Sequence, residues 1–74
     1  MEAPSFKTIQ IVVNGQPREV ATGQMLLGLL RSLELDPARL AVELNGSIVR
    51  KPEWPSTPVE SGARLEIVQF VGGG

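Results

Sequence analysis

The sequence ends in Val71-Gly72-Gly73-Gly74, and the carboxylate behind these glycines is its clearest candidate for chemistry. Glycine loses the most backbone entropy on ordering and has no side chain to bury, so we expect a flexible tail. The alternating, β-branched residues 64–71 predict a strand that runs directly into it. A glycine tail by itself is more often a frayed end than a functional one, so the rest of the chain must decide.

A terminal carboxylate is unreactive at neutral pH, because its charge repels nucleophiles and it has no leaving group. Adenylation by ATP would give a mixed anhydride, whose carbonyl is open to a sulfur or amine nucleophile that expels AMP. To reach such a site, the chain end must pass through a narrow channel close to the partner's backbone, which glycine permits. We therefore predict Gly74 as the reactive residue and Gly72 and Gly73 as the residues that thread the partner's active site.

The composition excludes most other chemistry. The 74 residues include neither cysteine nor histidine, which removes disulfides, thiolate and imidazole catalysis and the usual zinc sites. We predict no catalytic residue, no metal site and no cofactor bound by the chain itself. The net charge is −1, which argues against nucleic acid as a partner. The acidic residues show no pairing at catalytic spacing and are interpreted as solvated surface. They include Asp36, Glu43, Glu53, Glu60 and Glu66.

Length and hydropathy predict one domain over residues 1–74, with a loose leader at 1–7 and the flexible tail at 72–74. The N-terminus has neither the basic start nor the apolar stretch of a signal peptide. No apolar run approaches the roughly 20 residues that cross a bilayer. We therefore expect a cytoplasmic protein that does not bind membranes.

The hydrophobic pattern predicts, in order, a hairpin, a helix, a second hairpin, an irregular crossing and a final strand. The predicted segments are strands 8–13 and 18–21 with a turn at 14–17, a helix capped by Thr22, strands 41–45 and 47–50, a proline-rich crossing at 51–58 and strand 64–71. With the last strand beside the first, this is a β-grasp arrangement. We predict an α+β, ubiquitin-like fold with a mixed sheet of about five strands and one main helix across one face. The final strand is then central and projects the tail.

Two features of the predicted core allow more than one interpretation. A stripe of apolar side chains along the helix favours half of the core over a partner-binding groove, because so small a protein has a single core. The stripe comprises Met25, Leu26, Leu29, Leu30 and Leu33. Gly28 inside the helix costs about 1 kcal/mol relative to alanine, which is tolerable if the helix backbone must approach the sheet closely there. Trp54 is either a binding anchor or a lid over one end of the core, and the lid is favoured.

Several segments carry a resemblance to a known family. They are Val42-Glu43-Leu44-Asn45-Gly46, Ile48-Val49, Glu53-Trp54-Pro55-Ser56-Thr57, Leu65-Glu66-Ile67-Val68 and Val71-Gly72-Gly73-Gly74. Together they resemble the ThiS family, the sulfur carrier proteins of thiamin biosynthesis, over about residues 8–74.

The resemblance implies a carrier rather than an enzyme. In the family, a ThiF-like adenylating enzyme uses ATP with Mg to activate the terminal glycine, which here is Gly74. A sulfur donor such as a cysteine desulfurase or sulfurtransferase then provides the sulfur of a thiocarboxylate. That sulfur passes to a ThiG-like thiazole synthase for the thiazole ring.

Three alternatives stay open from the sequence. The small subunit of molybdopterin synthase shares the fold and the terminal glycine pair, although length and Trp54 favour the thiamin branch. A ubiquitin-like modifier would join target lysines through the same activated carboxylate. A plain β-grasp interaction module would carry the tail incidentally.

The exposed face of the sheet near the tail is the expected docking surface. Phe70, Val68 and Ile48 are predicted to form an apolar patch there, which would bind the activating enzyme.

Overall fold

The computed structural model describes residues 7–70 of the chain. In chain order the elements are β1 Thr8–Val13, β2 Gln16–Ala21, α1 Leu26–Ser32, a 3₁₀ turn Pro37–Arg39, β3 Leu40–Leu44, β4 Ser47–Val49, a 3₁₀ helix Lys51–Ser56 and β5 Arg64–Gln69. Residues 1–6 of the predicted leader lie outside the described part. Lys7 precedes β1, and its carbonyl accepts a hydrogen bond of 3.0 Å from the Thr22 backbone N–H.

The five strands form one mixed sheet in the order β2-β1-β5-β3-β4. Strand β5 is central: it runs parallel to β1 and antiparallel to β3. The register places Leu65 between Val13 of β1 and Leu44 of β3. The predicted α+β β-grasp fold is confirmed, with the last strand beside the first and one α-helix within residues 7–70.

The core fills the space between one face of the sheet and α1. Leu26, Leu29 and Leu30 of the helix are buried against sheet residues such as Ile11 and Leu65. This confirms that most of the predicted leucine stripe belongs to the core. Other buried members are Val13, Leu40, Val42, Trp54, Val59 and Ala63.

Trp54 closes one end of this core, as the lid interpretation predicted. Only 1% of its surface is exposed, and its indole Nε1 donates a 2.8 Å hydrogen bond to the Val49 carbonyl. The bond satisfies the one polar atom of a buried ring, so the tryptophan contributes apolar area without a desolvation penalty.

The predicted start of the helix was wrong. Thr22 does not cap it: α1 begins at Leu26, and its N-cap, Met25, forms no side-chain capping bond. The segment after the 3₁₀ helix supplies the hydrogen-bond acceptor instead, because the Thr57 carbonyl accepts a 2.7 Å bond from the Leu26 N–H. Met25 forms an isolated bridge with Pro58 and is 42% exposed, so it lies outside the core stripe.

Other boundaries moved by one or two residues. Strand β2 begins at Gln16, although Gln16 and Pro17 were predicted to lie in the turn. Pro17 is accommodated because β2 is at the edge of the sheet, where a missing N–H need not interrupt the ladder. Strand β5 ends at Gln69, before Phe70, and Val71 lies outside the described residues.

Gly28 does not mark a close approach to the sheet, so that interpretation was wrong. It lies on the exposed side of α1, and a Cβ built there meets nothing within 4 Å. Leu29 and Leu30, its neighbours in the chain, make the contacts with the core. Within residues 7–70 no helix has the length and apolar character needed to span a bilayer.

Replacing Gly28 with alanine should stabilise the protein. The added methyl group has free space, and alanine favours the helix interior by up to about 1 kcal/mol relative to glycine. Gly23→Ala is the matched control, because Gly23 has equal space but a φ of +82° that favours glycine. Urea unfolding followed by circular dichroism should show opposite shifts for the two variants. A destabilised Gly28→Ala variant would mean that the helix needs glycine there.

Candidate functional site

The structure positions the predicted reactive end through β5. Gly72, Gly73 and Gly74 lie outside the described residues, so the structure does not test their predicted roles. Phe70 is the last described residue, and its backbone N–H donates a 2.8 Å hydrogen bond to the Arg39 carbonyl. The backbone is therefore fixed to the sheet up to the residue that precedes Val71.

Asn14 holds the edge of β5 that faces β1. It is the first residue of the β1–β2 turn and has a φ of 49°, which asparagine tolerates better than most residues. Its backbone N–H donates to the Leu65 carbonyl at 2.8 Å. Its side chain then continues the ladder beyond the end of β1. The Ile67 N–H donates to Asn14 Oδ1 at 2.7 Å, and Asn14 Nδ2 donates to the Ile67 carbonyl at 3.1 Å.

Asn45 does the same for the other edge at the start of β5. It begins the β3–β4 turn with a φ of 51°. Its backbone N–H donates to the Arg64 carbonyl at 2.8 Å, and the Arg64 N–H donates to Asn45 Oδ1 at 2.9 Å. The sequence predicted a turn at each asparagine but not these side-chain bonds. The same residue type before glycine in both turns was the available signal.

The outward face of the sheet, opposite α1, carries the predicted apolar patch. Ile48, Val68 and Phe70 are large apolar side chains that are 77%, 56% and 58% exposed. Ile48 and Val68 line one shallow groove of about 240 Å³ together with Ala41, Val42, Glu43 and Glu66. Phe70 does not line this groove and lies beyond the end of β5. The structure thus brings two of the three predicted docking residues together, with the third further towards the tail.

Two carboxylates lie inside this outward groove. Glu43 of β3 and Glu66 of β5 are directly opposite each other in the antiparallel register. Glu43 is half-buried and Glu66 is exposed. The sequence interpretation treated both as solvated surface and missed their pairing. Each is flanked by apolar residues inside a strand, but the register that joins them depends on the fold.

The described residues show no cluster of side chains that could form a metal centre. In the range 7–70 no three acidic side chains come together in a way that could hold a metal ion. The ion pair that forms there, Asp36 to Arg39, joins Oδ2 and Nε at 3.8 Å and is exposed. Asp36 also accepts a 3.0 Å bond from the Ala38 N–H, so it caps the 3₁₀ turn.

A family model, a curated relative and a solved structure agree on one family. The model of the ThiS family matches residues 11–74, which includes the three terminal glycines. The sulfur carrier protein ThiS of Escherichia coli is 32% identical over 66 residues, which are 89% of this chain and 100% of that protein. The crystal structure of the thiamine biosynthesis protein ThiS from Geobacter metallireducens superposes with a TM-score of 0.74 at 30% identity. It covers 89% of this chain and 100% of that one.

Thiazole synthases of two organisms are also similar and are much longer than this chain. A thiazole synthase of Paramagnetospirillum magneticum is 38% identical over 66 residues, which are 89% of this chain but 20% of that protein. The chain therefore spans about a fifth of that relative's length. A segment similar to this chain thus occurs inside a polypeptide whose name is thiazole synthase.

Substitutions at Asn14 should separate the contribution of its side-chain hydrogen bonds to stability from that of its positive φ. Asn14→Gly keeps the positive φ but removes both side-chain bonds, and we expect a loss of about 1 kcal/mol. Asn14→Ala also strains the backbone and should lose about 2 kcal/mol in total. Urea unfolding measures both values. Amide exchange should accelerate at Ile67 in each variant. Equal stability of Asn14→Gly and the wild type would contradict a role for the side-chain bonds.

Proposed function

The chain belongs to the ThiS family, and we propose from this that it is a sulfur carrier in thiamin biosynthesis that is acted on by enzymes rather than being one. The observation that carries the proposal is the family match over residues 11–74, which spans both the described fold and the terminal glycines. The names of the similar proteins refer to thiamine biosynthesis and thiazole synthesis, which supports the thiamin branch over the molybdopterin branch.

In the proposed mechanism, Gly74 is activated before it carries sulfur. Its carboxylate oxygen attacks the α-phosphate of ATP, with Mg bound to the nucleotide in the ThiF-like enzyme, and pyrophosphate leaves. The terminal sulfur of a persulfide on a cysteine desulfurase or sulfurtransferase then attacks the carbonyl. The C–S bond forms, the C–O bond to AMP breaks and a proton is released, which gives an acyl disulfide. A thiol reductant then attacks the donor's sulfur and forms a disulfide with it, and the S–S bond breaks to leave the thiocarboxylate.

Residues 7–70 support this role because they hold β5, the strand that leads to the glycines, in a fixed position. Strand β5 is bonded on both edges, and the Phe70 N–H extends this attachment towards the glycines. Residues without Cβ atoms can pass close to an enzyme's backbone, so Gly72 and Gly73 are proposed to thread the active site. The proposal also keeps the cytoplasmic location expected from the sequence, and thiazole synthase is the proposed acceptor of the sulfur.

Intact-protein mass spectrometry tests the carrier function. The chain is incubated with the adenylating enzyme of the same organism, ATP, Mg and a sulfur source. We expect a mass gain that equals the replacement of one oxygen by sulfur, and no gain for a chain that lacks Gly74. Without the sulfur source, the adenylate should form and pyrophosphate should be released. An unchanged mass with a fully active enzyme would contradict the proposal, and stable attachment to lysines of other proteins would favour a modifier.

The apolar patch should be needed for binding to the adenylating enzyme. Val68→Asp and Phe70→Asp each place a charge on exposed apolar surface, and we expect each to weaken binding by about tenfold or more. Both side chains are more than half exposed, so the fold should be retained. Thr8→Asp is the control, since Thr8 is exposed on β1 opposite Ala21 and does not line the groove. Isothermal titration calorimetry gives the dissociation constants. Unchanged affinity for both patch variants would exclude the patch as the docking surface.

A further inference from the structure

Glu43 and Glu66 place two like charges at opposite positions of the β3–β5 pair. Side chains directly opposite each other in an antiparallel pair have Cβ atoms roughly 5 Å apart, and like charges at that distance destabilise the sheet. Within the described part of the chain, neither carboxylate has a basic group within ion-pair distance. The fold therefore places two like charges opposite each other without a basic partner in residues 7–70.

The surroundings of the two carboxylates are apolar and accessible. On the β4 side, Ile48 is opposite Glu43 in the register and is 77% exposed. Along β5, Val68 follows Glu66 on the same face and is 56% exposed. A protein that fills the groove between Ile48 and Val68 also covers Glu43 and Glu66, because all four residues line the same groove. Excluding water there would strengthen their repulsion unless the covering protein supplies a positive charge.

A second copy of this chain does not meet that requirement. If two outward faces packed against each other, four carboxylates would come together in an interface with little water. The complementary surface is instead apolar with one central cation. Arginine suits this position best, because its planar guanidinium can donate to two carboxylates at once, although a lysine ammonium would also serve.

On the basis of the proposed function, we propose that thiazole synthase docks on this outward groove and places a basic side chain between Glu43 and Glu66. Apolar groups around that side chain cover Ile48 and Val68. Charge complementarity carries the proposal, and the occurrence of a similar segment within a thiazole synthase polypeptide supports the choice of partner. The cation attracts both carboxylates, which otherwise repel each other. The paired glutamates therefore lower the stability of the free chain and raise the affinity of the complex.

The experiment therefore measures both the affinity for thiazole synthase and the stability of the free chain. Full-length wild type, Glu43→Gln, Glu66→Gln and the double variant are titrated into purified thiazole synthase of the same organism at several NaCl concentrations. Glu60→Gln is the matched control, because Glu60 is exposed in the turn before β5 and does not line the groove. Thermal unfolding of each free chain is measured in parallel.

We expect the double variant to bind about 10- to 100-fold more weakly than the wild type, with a smaller dependence of affinity on salt. The free double variant should unfold at the same temperature as the wild type or higher, since the repulsion is gone. Glu60→Gln should match the wild type in binding. Loss of binding by a variant that is at least as stable as the wild type cannot come from misfolding.

Three results would overturn the inference. If the double variant bound as tightly as the wild type with the same salt dependence, thiazole synthase would place no basic side chain between the glutamates. The proposed carrier function would be unaffected by that result. If the wild type failed to bind thiazole synthase, the proposed acceptor would be wrong as well. If sedimentation showed that the wild type forms a dimer that Glu43→Gln and Glu66→Gln strengthen, a second copy would be the occupant of the groove.

Discussion

The backbone bonding of β5 on both of its edges is the constraint on which the rest of the structure depends. Parallel pairing with β1 extends over only two residue pairs, whereas pairing with β3 extends over five. The short side is lengthened by the Asn14 side chain, which bonds to the Ile67 N–H and carbonyl beyond the end of β1. The turns of both hairpins thus serve the central strand as well as their own hairpins.

In this arrangement the residues that stabilise the fold are distinct from the residue that is proposed to react. The core of the small body is formed by the leucines of α1, the inward side chains of the sheet and the Trp54 lid. None of these groups is proposed to react. We propose that the outward face provides recognition through its exposed apolar groups and the facing glutamates, and that the reaction takes place at Gly74. On this proposal, the adenylating enzyme and thiazole synthase can bind one after the other without any rearrangement of the core.

The sequence predicted the fold well because its signals are local. Alternation in β1, the two Asn-Gly turns and the leucine spacing of α1 each specify one element, and a single helix restricts how the elements can pack. The predictions were wrong where a distant segment of the chain determines the local structure. The start of α1 depends on Thr57, about thirty residues later in the chain, so the hydroxyl of Thr22 gave a misleading signal. Gly28 suggested a contact that only the placement of the helix could exclude.

The candidate site was less predictable for the same reason. Exposure of Ile48, Val68 and Phe70 was predicted from their position near the tail, but the facing of Glu43 and Glu66 requires the β3–β5 register. A shift of that register by one residue would move each side chain to the other face. The asparagine bonds to β5 likewise join residues 53 and 19 positions apart. Turn signals alone cannot give such pairings.

The most direct measurement follows one sulfur atom through a single turnover. The chain is first loaded with isotopically labelled sulfur, purified, and mixed with thiazole synthase and the other precursors of the ring. Our account predicts labelled thiazole in an amount equal to the thiocarboxylate consumed, with the chain restored to its carboxylate mass. Formation of unlabelled thiazole while the chain keeps its sulfur would contradict it.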